Sequence, residues 1–471
     1  ETELYIQQNK SSSASKSMFA YLGEAEIGEI CNTLAAYSPH IVKFENQLDQ
    51  FRFNSNLKDL KIRFDLSENY QTSFQYSAHI AQAKAWSAEG NRSIDGLSAF
   101  LQGGDLGGRV QISSDVLRFD MPTFFPDFNI QLNAAGDIEW MHHADSFSLQ
   151  SGKFVLKNDD LELLARLDVH KQGENIYTDS QFHVVRAKAT RVGAYFPSTV
   201  GVDNTKSWLM NAIEEGTATR GDVLLRGNLK NFPFQDVSGV VKVNVEVDNG
   251  RLEYLSGWPE LVNVKASVRL DKNRLDVYSD QAGMYEDTQI KDVHVHIENF
   301  DEPVLNISGI ANGPAKNMLD CTEDSKLLDE EQALSNLISL QGDASLKINI
   351  LKPISKKIIE PAKVSGEIGF TDNLLDIHVA DLQLNKLNGV VSFDDRGFSG
   401  EDITASIFDT PVFISLTPQG NGVSMLNFES NFDLDEYVKE HSPEFARVLS
   451  GSVPIQGSIY LPDPGDSENP D

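Results

Sequence analysis

Strict alternation of apolar and polar residues recurs along nearly the whole 471-residue chain, with almost no helical pattern beside it. Val241, Val243, Val245 and Val247 alternate with Lys242, Asn244 and Glu246. Ala344, Leu346, Ile348 and Ile350 alternate with Ser345, Lys347 and Asn349, and Val293, Val295 and Ile297 with His294 and His296. Successive side chains of a strand point to opposite faces, so each run makes one apolar face and one wet face. A long sheet of this kind must hide its apolar face against something, and the few helices cannot roof it.

Charge excludes several partners. The chain carries 40 Lys+Arg against 70 Asp+Glu, a net charge of −30. Such a surface is repelled by nucleic-acid phosphates, and equally by an anionic bilayer that a polybasic patch would otherwise seek. Cys31 and Cys321 are the only cysteines, so neither a disulfide framework nor a CxxC metal spacing exists. No run approaches the roughly 18 apolar residues of a membrane span. The chain begins at Glu1 without a basic n-region or h-region and reads as an interior piece of a longer protein, its anchor helix upstream. Residues 461–471 read as a disordered acidic tail.

Three amphipathic stretches interrupt the alternation in the same way. Helices are expected over Asn204–Glu215, Asp329–Leu340 and Asp433–Leu449, the last split at Pro443, each leading to a glycine (Gly216, Gly342, Gly451) and then a strand. A weaker copy spans Gly23–Tyr37. The spacing of roughly 110 to 125 residues suits a repeat of several meander strands plus one connector. The expected segments are 1–201, 202–328 and 329–460. Asp248-Asn-Gly250, Asp271-Lys-Asn273, Asp394-Asp-Arg-Gly397 and Gly420-Asn-Gly422 read as hairpin turns, hence an antiparallel sheet. About 30 strands at about 4.8 Å would run on the order of 140 Å, and open sheets of that length twist, curl or split. The expected fold is mainly β: a long twisted antiparallel sheet curled into an open hydrophobic groove, with a few short connector helices. A set of sandwiches is the competing solution.

An ordered series of motifs carries a resemblance. Tyr195-Phe-Pro197, Trp208-Leu209, Arg220-Gly221, Gly227-Asn-Leu229, Phe232-Pro-Phe234, Gly250-Arg-Leu252, Trp258-Pro259 and Leu305-Asn-Ile-Ser-Gly-Ile-Ala-Asn-Gly-Pro-Ala315 follow one another. Upstream lie Ile94-Asp-Gly-Leu97, Leu117-Arg-Phe-Asp120 and Gly136-Asp-Ile-Glu-Trp140. From about Ala85 to about Ala344 the chain resembles the central region of the YhdP-type AsmA-like envelope proteins. One departure is Ser325-Lys-Leu327, where the family pattern has a Ser-Pro-Leu-like turn. The resemblance implies repeating β-groove units in the periplasm of a Gram-negative bacterium, in a protein anchored in the inner membrane. It implies a conduit for phospholipid between inner and outer membranes, with membrane components as partners at its two ends. It implies no catalytic residues and no cofactor.

Physical chemistry supports the groove. Each buried methylene is worth roughly 0.8 kcal/mol, so a 16-carbon acyl chain loses on the order of 12 kcal/mol on entering water. A continuous apolar track removes that barrier while the headgroup stays wet at the rim. A strand of about 20 Å is comparable in width with half a bilayer's hydrocarbon, about 15 Å. The candidate lining is Val223, Leu225, Leu229, Val241, Val243, Val245, Val247, Ala344, Leu346, Ile348, Ile350, Ile368 and Phe370.

Plainer readings stand beside these. The valine stripes could be a core face packed on another sheet, and the function class would then be a non-transporting scaffold for envelope assembly. His294 and His296 fall on the wet face and read as solvated, since a metal would need further carboxylate or His ligands converging on them. Asp329-Glu-Glu331 suits a helix N-terminus. Gly103-Gly-Asp-Leu-Gly-Gly108 lies between strands and reads as a turn rather than a phosphate loop, and no triad or nucleophile elbow is present. Trp208 and Trp258 suit either a lipid interface or a packing anchor.

Overall fold

The computed structural model describes residues 4–11, 15–26, 51–67, 72–87, 92–122, 130–143, 146–195, 212–232, 234, 238–253, 260–299, 303–324, 338–353, 362–378, 382–420, 423–441, 448 and 450–461. In these, alternation becomes 26 strands of one antiparallel sheet, most strands pairing with their neighbours in sequence. The described helices are short connectors, chiefly Ala315–Asp324 and Leu434–His441. No described helix is long and apolar enough to cross a membrane.

Turn chemistry placed two of the four expected hairpins, and residues 421–422 of a third lie outside the described residues. Lys272 and Asn273 turn between strands Leu261–Asp271 and Arg274–Tyr285, and Asp395 and Arg396 between Leu382–Asp394 and Gly397–Ile407. Asp105 and Leu106 form the expected turn inside the glycine-rich 103–108 stretch. Asp248-Asn-Gly250 does not turn the chain: all three residues lie inside the strand Gly239–Leu252. Asn249 adopts φ 53°, and a β-carbon on Gly250 would stand 3.1 Å from Val264 Cβ, so the left-handed residue serves a close strand approach.

Two expected helix ends are strands instead. Ile213–Asn228 is extended, with Glu253 N donating to Ala212 O at 2.9 Å, while 204–211 lie outside the described residues. Ile338–Gln341 pairs with Leu374–Ile377, while 329–337 lie outside. In both cases an available strand partner overrides helical periodicity. Leu434–His441 is helical as expected, but 442–447 are not described. Gly23–Glu26 is strand rather than the start of a helix, and 27–37 and 462–471 are also outside.

Bulges shape the sheet. In four neighbouring strands the register shifts side by side, at Leu57-Lys-Asp-Leu60, Ile80-Ala-Gln-Ala83, Ile94-Asp-Gly-Leu97 and Ser114-Asp-Val-Leu117. A second row comprises Phe370-Thr-Asp-Asn373, Leu384-Asn-Lys-Leu387 and Gly400-Glu-Asp-Ile403. In six of these seven the third residue is left-handed: Asp59, Gln82, Gly96, Asp372, Lys386 and Asp402 have φ between 49° and 86°. Each bulge bends its strand, and a row of them lines up a crease across the sheet.

Side chains at the creases are deeply buried: Leu60 and Ile403 are each 2% exposed. Buried hydroxyls and amides take up the backbone groups that the bulges release. Ser98 N donates to Ser114 Oγ at 2.8 Å, and that hydroxyl donates to Ser98 O at 3.2 Å. Asn373 accepts from Thr371 N at 2.8 Å and donates to Gln341 O at 3.0 Å. Buried polar groups need such partners.

The chain divides into two units: Glu1–Asn211 with Gly216–Glu246 and Arg269–Lys272, and Ala212–Glu215 with Val247–Val268 and Asn273–Asp471. In the first, one core runs through Ile80, Ala99, Ile112, Leu132, Phe154, Ala165 and Phe182, and another joins Leu57, Leu60, Ile62 and Ala78. In the second, Leu384, Leu387, Ile403, Ala405, Val412 and Ile414 cluster. Each cluster draws on consecutive strands of the same sheet face. None brings a second sheet over the first, so these cores belong to curled single layers rather than sandwiches.

Candidate functional site

The pairing register decides which side chains share a face, because residues directly opposite in antiparallel strands point the same way. In the first unit Val223 lies opposite Phe182 and Leu225 opposite Ser180. A β-carbon on Gly221 would stand 3.1 Å from Val245 Cγ2 and 3.2 Å from Val184 Cβ, so Val184 and Val245 belong to this face too. Val241, Val243, Val245 and Val247 share one side of Gly239–Leu252, with Lys242, Asn244 and Glu246 exposed on the other. Leu229 does not join them: it lies past the strand end in the turn Leu229–Asn231 and is 39% exposed. Asn228 ends the strand there, its side chain accepting from Lys230 N.

In the second unit all six remaining candidates come together. Ala344 is opposite Phe370, Leu346 opposite Ile368, Ile348 opposite Gly366 and Ile350 opposite Val364. On the other flank the same residues oppose Gly313, Ala311, Gly309 and Ile307, and beyond Ile368 comes Val391. No ionisable side chain interrupts these rows before Lys352, which ends the Ala344 row opposite Leu305. Apart from Val241 and Ala344, which are buried, the candidates on both faces are partly exposed. The opposite face is ionic, with Lys347 Nζ 3.2 Å from Glu367 and Lys242 Nζ 3.0 Å from Asp271.

The face extends beyond the residues expected from alternation. Leu60, Ile80, Ile112 and Leu132 continue it in the first unit, Ile403, Ile414 and Phe428 in the second. At four of the bulges (Leu57/Leu60, Ile80/Ala83, Ile94/Leu97 and Leu384/Leu387) the signal is an apolar spacing of three instead of two, with a polar residue or glycine just before the second apolar one.

The wet face holds one cluster with chemistry of its own. Asp276 Oδ1 lies 3.0 Å from His294 Nε2 and 2.9 Å from His296 Nδ1, and Arg274 Nε donates to Asp276 Oδ2 at 2.8 Å. Asp276 is 8% exposed. The Arg274 hydrogen bond, opposed by burial and aided by the two imidazoles, holds its carboxyl well below the usual carboxylate range. The two histidines are therefore not simply solvated: the converging carboxylate that the sequence reading required is present.

The family model described as YhdP protein matches residues 1–470. The intermembrane phospholipid transporter YhdP of Escherichia coli (strain K12) is 23% identical over 276 residues, which is 57% of this chain and 21% of that protein. The chain thus spans about a fifth of the length of the curated relative it matches. No solved structure matches it. With a creased antiparallel sheet, unbroken apolar rows and a family match over nearly every residue, the chain belongs to the YhdP family.

Proposed function

We propose that this chain is a segment of a phospholipid conduit in the periplasm of a Gram-negative envelope. Its partners are acyl chains along the apolar face and inner- and outer-membrane components at the ends of the longer protein, which an inner-membrane helix anchors. The observation that carries the reading is the pair of partly exposed apolar faces on Val223 to Val247 and on Ala344 to Ile350 with Ile368 and Phe370, whose rows no ionisable side chain interrupts before Lys352. The relative's name as an intermembrane phospholipid transporter supports the cargo. Acyl carbons slide along side chains of like polarity, so each step exchanges one apolar contact for another, and the headgroup stays in water. Conduction is passive and no bond is made or broken.

The test places photo-crosslinking residues in the full-length protein in cells. Positions Val243 and Val245 should label phospholipid, and positions Lys242 and Glu246 should not. Equal labelling of both faces overturns the assignment, and no labelling at either points to a scaffold.

A further inference from the structure

We propose that Asp276, His294 and His296 form a binding site for a divalent transition-metal ion of the zinc class on the wet face of the sheet. The inference is independent of the conduit reading. Three ligand atoms, one from each side chain, lie within 4.8 Å of one another. Edges of a tetrahedral site with metal–ligand bonds of about 2.0–2.1 Å are about 3.4 Å long, so modest rotation of the two rings admits an ion. Asp276 and His296 are cross-strand partners in the pair Arg274–Tyr285 and Thr288–Ile297, and His294 is two residues away on the same face.

The contacts of His296 suit a metal ligand. His296 has a carboxylate oxygen 2.9 Å from each ring nitrogen, Asp276 at Nδ1 and Glu298 at Nε2. A neutral imidazole satisfies one of these contacts with its single N–H, and an imidazolium satisfies both. With a metal on Nδ1, the single proton sits on Nε2 and is donated to Glu298, the carboxylate–histidine–metal arrangement that orients ligating histidines. Meanwhile Asp276 Oδ1 alone faces both imidazoles, Arg274 Nη2 at 3.3 Å and Tyr278 Oη at 3.4 Å, more donors than one oxygen serves well.

The surroundings fix the ligands in place. Tyr278 stacks on His294 with ring centroids 4.4 Å apart and 7° between planes, and Arg274 grips both carboxylate oxygens of Asp276. Arg274, Asp276 and Glu298 sum to one negative charge, which a dication reverses. Two imidazoles and one carboxylate select zinc-like ions over magnesium or calcium, which prefer all-oxygen shells. Val277, Val293 and Val295 have the opposite parity, so the ion would tie two strands together without entering the apolar face.

The experiment titrates zinc chloride into the purified, chelator-treated full-length protein and its variants. Wild type should bind one more equivalent than His296→Ala or His294→Ala, and a hundredfold excess of magnesium should not displace it. X-ray absorption of that equivalent should show only nitrogen and oxygen neighbours. Glu298→Gln, at a side chain 75% exposed and so safe for folding, should weaken this equivalent roughly tenfold. Equal zinc stoichiometry in wild type and the histidine variants, displacement by magnesium, or unchanged affinity in Glu298→Gln overturns the site.

Discussion

Leu346 and Ile368 lie directly opposite each other in the strands Asp343–Pro353 and Lys363–Ile377, while the next residues, Lys347 and Glu367, pair as ions on the reverse face. One step along the strand thus exchanges hydrocarbon for charge. Leu346→Asp should cut lipid photo-crosslinking at position 368 by at least about tenfold, because a carboxylate in an apolar row must be hydrated or neutralised. Lys347→Asp should leave it unchanged. Crosslinking yield per folded protein checks both.

A creased single layer should respond unevenly to truncation. Ile403→Ala, at a crease, should cost about 3 kcal/mol, within the range for fully buried aliphatic residues. Leu346→Ala, on the partly exposed row, should cost about 1 kcal/mol, in line with its smaller loss of buried area. Urea denaturation of the two variants measures the difference. Equal costs would mean that the Leu346 row is covered in solution.

Left-handed residues at the bulges make a backbone prediction. Asp59 has φ 52°, and Asp59→Gly should be neutral or slightly stabilising. Asp59→Val should destabilise by about 1–2 kcal/mol, since a branched β-carbon tolerates that conformation poorly. Thermal melts of both variants compare them with wild type.

Ser114 supplies the buried partner for Ser98, whose N–H donates to its hydroxyl at 2.8 Å. Ser114→Ala leaves that amide unpaired in the crease and should cost about 1–3 kcal/mol. Hydrogen exchange should speed up at the Ser98 amide more than at amides elsewhere in its strand.

The Ser17 hydroxyl donates to Asp65 Oδ1, and Arg63 Nε stands 3.0 Å from the same carboxylate. The Ser17 hydrogen bond, opposed by burial and joined by Arg63, holds the Asp65 carboxyl below its ordinary value. A group whose folded pKa is depressed contributes stability above its unfolded pKa, near 3.9, and loses it as pH falls through the folded value. The contribution is below about 1 kcal/mol because the pair is partly exposed. Ser17→Ala should raise the Asp65 pKa seen by NMR titration and should leave acid unfolding below pH 4 less sensitive to Asp65.

Side-chain order along the chain was enough to determine two faces of opposite polarity, antiparallel pairing, and turns such as Lys272–Asn273 and Asp395–Arg396. These follow from period-two geometry and from residues that accept left-handed backbone, both local properties. The shared apolar face was legible for Val223, Leu225, the four valines and the six residues of the Ala344 and Ile368 strands, because parity alone assigns them to it. Leu229 has the right parity and still falls outside, because the strand stops one residue earlier. Only tertiary pairing decided that Asn249 turns left-handed within a strand, that Ile213 and Ile338 extend instead of coiling, and that Asp276 meets two histidines 18 and 20 residues away. Those outcomes depend on which backbone groups of a distant segment remain free to pair. The creases belong to both levels: a three-residue apolar step marks four of the seven bulges in the sequence, but a bend forms only because bulges on neighbouring strands come into line.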